Sequence, residues 1–523
     1  MICPMAKSKL SIYLIKRQYS DGDNVVDEEK CDEVFSLDSS KRVYVRKSTL
    51  HTPSWVQVFF QGEVSEEPFK SSSSSALMLI DVQVSETEER LFALSFGFGF
   101  TLLNKDSIEE RFGLRVALNS GGSTSLRKLK RTTVAGNARK TSEQMPRRSA
   151  ISDFEMDIER DLLEGVTVTG EKGDLLEGSI TGSDLLSISA NVDVSNVSDF
   201  LKQVYQRYLS DSYKESFSWV DQIVPVKAPA VIEALEAKAI SLLNDKDSQL
   251  WFAVPEVINW ETVRGFQIGR QPELAQDILI DDVLGALEPK SLEEFDQLKK
   301  VGIFVIGEET GEPMYRWRAS DCLYGEFALE GDQFCANGGR WYRIDKDFQN
   351  TIESRYSKAI VSSMSFPECY GERESEYNRK LADLDPGRFA LMDAKSIRAG
   401  SGHSSVELCD VLARDGVFIH VKKYSGSSAL SHLFNQGLVS AQLVVADRTF
   451  RKNALERLHK EAPDFKPDNS DLEVKEVVFA IISKERDKLP TIPFFSKVTF
   501  DYVSTQLRLM GVQVSVKAVR NVK

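Results

Sequence analysis

The stretch "ELCDVLARDGVFIHVKKY", residues 407–424, decides how the C-terminal part of this 523-residue chain is read. An acidic strand meets a tight turn, and the next strand carries a histidine and a lysine two positions apart. If Arg414, Asp415 and Gly416 make a three-residue loop, Gly416 supplies the left-handed conformation that such a loop needs. Residue 413 then faces 417, and Asp410 faces His420. The period of two puts Val406, Leu408, Asp410 and Leu412 on one face with Phe418, His420, Lys422 and Tyr424. Cys409, Val411, Val417, Ile419 and Val421 form the other face, a sensible core, with Glu407. A two- or four-residue loop would shift the register by one, setting Glu407 against Lys422 and turning Asp410 to the other side.

Two readings of the hairpin stand side by side. In one, its charged face is merely solvated. In the other, Asp410, His420 and Lys422 form a site for phosphodiester hydrolysis. There a carboxylate binds Mg²⁺ or Mn²⁺, the ion polarises the phosphate and activates water, and a lysine stabilises the developing charge. Four of the five histidines, His403, His420, His432 and His459, crowd into this region, which favours a site. "YSGSSALSHLFNQG" (424–437) leads into a helix. Ser427 or Ser428 is read as its cap, and its first amides offer an alternative phosphate cradle.

Around the hairpin, residues 366–523 read as helix, strand, strand, helix, strand. The pieces are "ESEYNRKLAD" (374–383), "RFALMDAKSI" (388–397), the hairpin over 405–424, a helix over 429–445, a strand over 473–483, a helix over 495–511 and a last strand over 512–519. Further back, "KLSIYLIK" (9–16), "WVQVFFQG" (55–62), "ALMLIDVQVS" (76–85) and "RLFALSFGFGFTLL" (90–103) read as strands. "IEERFGLRVALN" (108–119) reads as a short helix running into a strand, and "DLLEG" occurs twice, at 161–165 and 174–178, before strand–turn pieces.

Composition changes abruptly after residue 126. Residues 127–148 hold eight basic residues against one acid, Glu143, and residues 149–186 hold ten acids against two bases. The basic run is either a solvated loop or a nucleic-acid contact, with Arg127, Lys128, Lys130, Arg131, Arg139 and Lys140 as phosphate partners and Lys423 adding to them from the hairpin. The acidic stretch is placed to shield it. No aromatics interleave the run, so any contact would be independent of base sequence. The formal net charge of −13 means that such binding relies on a local patch rather than on the overall field. The expected boundaries are a β-rich domain over 1–125, a charged segment with short hairpins over 126–190, a mixed α/β domain over 191–365 and a C-terminal domain over 366–523.

The six cysteines form no CxxC pair and show no zinc-site spacing. With no secretory signal, a reducing cytoplasm is expected; Met5 is an alternative start. No run of about 18 apolar residues predicts a membrane span. "GFGF" (97–100) lacks nucleotide-loop spacing, "CANGGRWY" (335–342) reads as a hairpin turn, and P-loop, HExxH and GxSxG motifs are absent.

On its residues, the hairpin resembles the core of PD-(D/E)XK nucleases, where an Asp on one strand precedes an (Asp/Glu)-x-Lys on the next. The resemblance implies Asp410 as the first acid, Lys422 as the lysine, and Glu376 as the glutamate that some members carry on the preceding helix. Gln436 would be the polar residue that some place on the following helix. His420 departs from the pattern, standing where the family has Asp or Glu. It implies a metal ligand of softer taste, a general base, or a degenerate site; Asp393 is the acid that would replace it. The wider chain, through "LSIYLIK", "LRKLKRTTVAGNARKTSEQ", "EYN" and "FIHVKKYSGSSALSHLFNQG", resembles a sporadically distributed bacterial family of uncharacterised function. The scattered occurrence of that family implies mobile elements or anti-phage defence, with a defence-system partner or an oligomer.

The expected fold is α+β and multidomain, with a β-rich N-terminal part and a C-terminal mixed α/β restriction-nuclease-like module. The expected function is a metal-dependent nuclease or nucleic-acid effector acting on DNA or RNA. Its rival is a non-catalytic nucleic-acid-binding or sensor protein with a degenerate nuclease-like fold.

Overall fold

The computed structural model describes residues 7–522 apart from 48–49, 51, 123, 135–138, 155, 288–290, 309–310, 394, 399–404, 470 and 486–488. His403 and Met5 lie outside the described residues. The chain is mixed α/β and divides into two compact units, residues 1–132 with 140–221 and residues 133–139 with 222–523.

The first unit is built on a ten-stranded sheet. The strand Ser8–Leu14 lies inside it, antiparallel to Glu89–Phe96 on one side and to Leu186–Ala190 on the other. Helices Phe112–Ser120 and Val197–Leu209 contribute to the core on one face, with Ile12, Phe92 and Leu94. A smaller core of Tyr44, Leu77, Leu79, Leu91, Leu102 and Leu103 forms beside it. With both faces covered, "ALMLIDVQVS" is nearly continuously apolar instead of alternating.

Four expectations change here. The short helix running into a strand over 108–119 is helix to its end, Phe112–Ser120. "WVQVFFQG" is mostly helix, Ser54–Phe60, because a short apolar run between Pro53 and the left-handed Gln61 (φ 46) carries no decisive period. The strand expected over 90–103 stops at Phe96; a side chain at Gly99 would meet the Ala76 carbonyl oxygen at 1.9 Å, and a 3₁₀ turn follows. Residues 126–190 are not separate from the N-terminal part: their strands Leu126–Thr133, Arg139–Ser149, Asp161–Gly170, Gly178–Gly182 and Leu186–Ala190 extend the same sheet.

The second unit contains a five-stranded and a three-stranded antiparallel sheet, which share one core with the helix Pro229–Asn244. Beyond them, residues 374–520 give α1 (Glu374–Ala382), β1 (Phe389–Leu391), β2 (Val411–Ala413), β3 (Val417–Lys423), α2 (Ser427–Ala446), α3 (Arg448–Glu461), β4 (Glu476–Ser483), α4 (Phe494–Leu509) and β5 (Gln513–Arg520). The sheet order is β1-β2-β3-β4-β5. β1, β2 and β3 are antiparallel neighbours; β3, β4 and β5 run parallel. The parallel half needs crossovers: α2 and α3 link β3 to β4, and α4 links β4 to β5. α3 is capped by Asp447, whose carboxylate accepts the N–H groups of Thr449 and Phe450. Residues Ser396–Arg398 and Ser405–Glu407 form a separate small ribbon, so the strand expected over 388–397 is two pieces.

Glu326, on the strand Leu323–Leu329 of the five-stranded sheet, ties the two parts of this unit together. Its carboxylate is buried, accepts the Phe495 N–H at 2.9 Å, and takes a bond from Ser427. It thus meets the N-termini of α4 and α2, where unpaired amides favour an anion. The side-chain cap expected at Ser427 does not form: the N-cap of α2 is Gly426, and Ser427 is turned inward onto Glu326 and Ser496; the side chain of Ser428 lies outside the described residues.

Burial pushes the Glu326 carboxyl up to about 7 from an ordinary 4.5, against the opposing bonds from Ser427 and the Phe495 and Phe494 amides and the charge of Lys497. A folded-state value above the unfolded one contributes stability that is present below 4.5 and lost as pH rises through 7. The difference corresponds to about 3 kcal/mol. Glu326→Gln is therefore expected to gain stability over the wild type at pH 8 and to lose that advantage at pH 5, as read by urea denaturation at both values. A difference that does not vary with pH would refute this.

Candidate active site at the mouth of the hairpin

The hairpin has the register of the three-residue loop: Val411 pairs with Ile419, and Leu412 with Phe418. Gly416 sits at φ 86, where a side chain would be strained, and its N–H closes the turn onto the Ala413 carbonyl. One consequence of the register differs from expectation. The face carrying Phe418 and His420 is not wet. Parallel pairing of β3 with β4 places β3 in the interior, so both of its faces are covered. Leu412, Phe418, Phe434 and Phe479 pack on the α2 side; Val411, Val417, Ile419 and Val421 pack under Tyr377 and Leu381 of α1.

His420 is a core residue. It is 3% exposed, lies 6.1 Å from the Phe479 ring, and has the Ser440 hydroxyl of α2 at 3.5 Å. Burial holds its imidazole down at about 4, so it is neutral at physiological pH. Of the other clustered histidines, His432 on α2 and His459 on α3 are exposed on their own helices.

Asp410 behaves differently. It leaves the regular ladder just before β2: its N–H donates to Ile419 O at 3.0 Å, and its Oδ2 accepts the Val421 N–H at 2.7 Å. The carboxyl is largely covered yet still reaches solvent. Burial, with the charges of Asp393, Glu407 and Glu374, raises it to about 7 against the opposing bond from Val421. Asp393 lies in the turn after β1, half-buried, and Met392 N–H donates to Asp410 O at 2.8 Å, which holds this turn beside Asp410.

Lys422 is gripped by α1. Its Nζ donates to Glu374 Oε2 at 2.9 Å, and the Lys423 N–H donates to Glu374 Oε1 at 3.0 Å. The helix glutamate at the site is therefore Glu374. Glu376 is exposed and accepts the Arg373 N–H at 2.9 Å, a helix-start bond. The helical period carried this information: Tyr377 and Leu381 are the apolar positions of α1, and residues 374 and 378 share their face whereas 376 does not. Lys423 Nζ reaches the Gly371 carbonyl at 3.4 Å. Gln436 sits half-buried on α2.

Asp410 thus feels the charges of Asp393, Glu407 and Glu374, the last of which holds Lys422, and His420 lies in the core on the α2 side. Oxygen donors of this kind suit Mg²⁺ or Mn²⁺. Among the described residues, no three His, Cys, Asp or Glu side chains gather into a group that could hold a metal ion. The ligand set expected from Asp410, His420 and Asp393 does not assemble, because the neutral ring of His420 is packed on Phe479.

The basic run forms two adjacent strands at one edge of the ten-stranded sheet. Arg131 pairs with Asp161 at 2.6 Å, and Lys140 with Glu164 at 2.9 Å, so the acidic stretch does neutralise part of it. Arg127 Nη1 donates to Pro146 O at 2.8 Å, and Lys128 is half-buried. Lys130 and Arg139 stand exposed, as do Arg147 and Arg148.

His420→Leu separates a core role from a ligand role. A histidine held below its ordinary 6.5 contributes stability that is present above 6.5 and lost as pH falls through about 4. The variant is expected to match the wild type within about 1.5 kcal/mol at pH 7, and to lose less stability than the wild type between pH 6.5 and 4. Urea denaturation at the two ends of that range measures it, and a loss of several kcal/mol at pH 7 would contradict the core role.

Compared with known families, residues 10–520 match a family of unknown function, DUF6119. No curated protein and no solved structure matches the chain.

Proposed function

The chain belongs to the DUF6119 family, and we propose that it is a nucleic-acid effector whose C-terminal part is a restriction-nuclease-like module that hydrolyses phosphodiesters. The observation that carries this reading is the meeting of Asp410 and the Glu374–Lys422 pair at one end of a sheet with the order α1-β1-β2-β3-α2-β4. A helix glutamate, an acid entering the second strand and a lysine leaving the third are the elements of the PD-(D/E)XK pattern, which the hairpin resembles.

Each residue has a role that its surroundings support. Lys422, on the rim, meets a phosphate oxygen and stabilises the charge that builds on phosphorus. Glu374 positions Lys422 through the bond from Lys422 Nζ to its Oε2. Asp410 keeps one carboxylate oxygen on the Val421 amide and would offer its carboxylate to an ion rather than act as a base. A bound Mg²⁺ or Mn²⁺ would polarise the phosphate and lower the pKa of water, held by the oxygens of Asp410 and its acidic neighbours. The exposed cations Lys130 and Arg139, with Arg147 and Arg148, supply sequence-independent contact to a nucleic-acid backbone. The competing reading, a binder that does not cut, is favoured by one observation: His420 stands where the second strand acid would be and is packed away.

Cleavage of plasmid DNA and of a structured RNA is the test, with Mg²⁺, Mn²⁺ or a chelator, by the wild type and Lys422→Ala. Metal-dependent cutting that falls by about two to three orders of magnitude in the variant is expected. Equal cutting by both proteins would remove the hairpin from the chemistry. Binding without cutting, weakened as salt rises, would favour the non-catalytic reading.

A further inference from the structure

Two apolar cores of the second unit meet at one ionisable group. One core belongs to the five-stranded and three-stranded sheets, the other to the side of β1-β2-β3-β4-β5 that α2, α3 and α4 cover. Along the strand Leu323–Leu329, Phe327 faces the first core and Glu326 points to the opposite side. Glu326 is 3% exposed, and its N–H donates to Gln249 O at 3.0 Å, which fixes it in the five-stranded sheet. Its carboxylate crosses to the helices: Oε2 accepts the Phe495 N–H of α4 at 2.9 Å, and Oε1 has no hydrogen-bond partner. A neutral carboxyl tolerates one missing bond. An ionised one holds a charged oxygen that no donor in the seam reaches, and water is the donor that can supply it.

The seam is built from the starts of helices. Ser427 of α2 and Ser496 of α4 are both buried in it, with their hydroxyls 3.2 Å apart. The turn that leads out of β3 is pressed into the same place. Gly426 has φ 117, and a side chain there would meet the Ser248 carbonyl oxygen at 2.8 Å. Tyr424, two residues beyond Lys422, has its phenol raised by burial and by the charges of Glu326 and Asp247. The groups around Glu326 come from each element packed against it. The strand Asp332–Asn337 sets Cys335 opposite it, the loop before Leu250 brings Asp247 to Tyr424, and α2 offers the Ser427 hydroxyl. α4 offers the Phe494 and Phe495 amides and the charge of Lys497, which Glu353 of the helix Lys346–Tyr356 already shares at 2.7 Å.

We propose that Glu326 is a proton-controlled latch on this seam: neutral, it keeps the five-stranded sheet closed on the starts of α2 and α4, and ionised, it draws water in and frees the turn Tyr424–Gly426. That turn leads from the lysine end of β3 into α2, so the latch acts next to the candidate site. The opening is local, a step beyond the change in overall stability that the same carboxyl brings. It is independent of the nuclease reading, because it needs no substrate. Burial sets the closed-state carboxyl at about 7, against an ordinary 4.5. A value raised in the closed state means that closure is favoured at low pH and lost as pH rises through 7. With those two values, opening becomes about tenfold more favourable between pH 6 and pH 8.

Amide hydrogen exchange of the full chain, followed by mass spectrometry between pH 6 and pH 8, is the test, with rates corrected for the intrinsic pH dependence of exchange. Wild type, Glu326→Gln and Ser427→Ala are compared. In the wild type, peptides covering residues 424–431 and 494–499 are expected to lose about tenfold in protection over this range, while peptides in β4 keep theirs. In Glu326→Gln, which cannot ionise, the same peptides keep their protection at both values. Ser427→Ala removes a donor that favours the ionised form, so its loss of protection moves to higher pH. Wild-type protection that does not change with pH overturns the latch. An equal loss in wild type and Glu326→Gln also overturns it, by assigning the titration to another group. A loss spread evenly over the chain does the same, since it reports global unfolding. If Glu326→Gln is unprotected throughout at pH 6, the serine variant decides, and a midpoint that does not move refutes the proposal.

Discussion

The burial of β3 on both faces is the constraint on which the C-terminal part depends. The strand Val417–Lys423 is antiparallel to β2 and parallel to β4, so helices must cover it above and below. Its residues Val417 to Val421 are all buried. Only the end of the strand, at Lys422 and Lys423, escapes, and that is where polar chemistry collects. The placement of the candidate site follows from this geometry: the interior of the strand accepts only groups that are neutral or paired, and charged groups are driven to its C-terminal end.

That constraint explains the contrast between two residues that face each other in an ideal ladder. His420 lies one step inside the buried zone and is kept neutral against Phe479. Asp410 lies just outside β2, where the chain has left the ladder, and retains both solvent access and a backbone amide for its carboxylate. The same step distinguishes Glu374 from Glu376 on α1. One points to the end of β3 and bridges the Lys422 side chain and the Lys423 main chain; the other faces water and holds the start of its own helix.

Much of this was legible in the sequence, and the misses share a cause. The order of helices and strands after residue 366 follows from apolar periodicity, apart from α3 and the small ribbon Ser396–Arg398 with Ser405–Glu407, which it did not predict, and the loop Arg414–Gly416 follows from the glycine that its geometry demands. What periodicity cannot report is how many faces of a strand are covered. "FIHVKK" alternates well enough to suggest a wet side, and only the parallel pairing with β4 shows that there is none. Helical phase was available in Tyr377 and Leu381 and would have selected Glu374 over Glu376. The pairing of Arg131 and Lys140 with Asp161 and Glu164 was visible only as a reversal of charge between neighbouring segments. That the two segments are strands of one sheet is a long-range fact, which local composition cannot carry. The strand reading of residues 55–62 failed for the opposite reason, since a short apolar run flanked by Pro53 satisfies either period.

The strand Ser8–Leu14 has a consequence for how the first unit comes into being. Its two neighbours are Glu89–Phe96 and Leu186–Ala190, so the earliest-made strand of the sheet is completed by one of the last. At roughly 5–20 residues per second of synthesis, the interval between the two is about 10–30 s. Throughout it, a nascent chain carries Leu10 and Ile12 on a strand with at least one open edge, the kind of edge that templates unwanted pairing. The sheet therefore folds as a late closure around its own beginning, and a chain cut short of residue 186 leaves that seam unsealed.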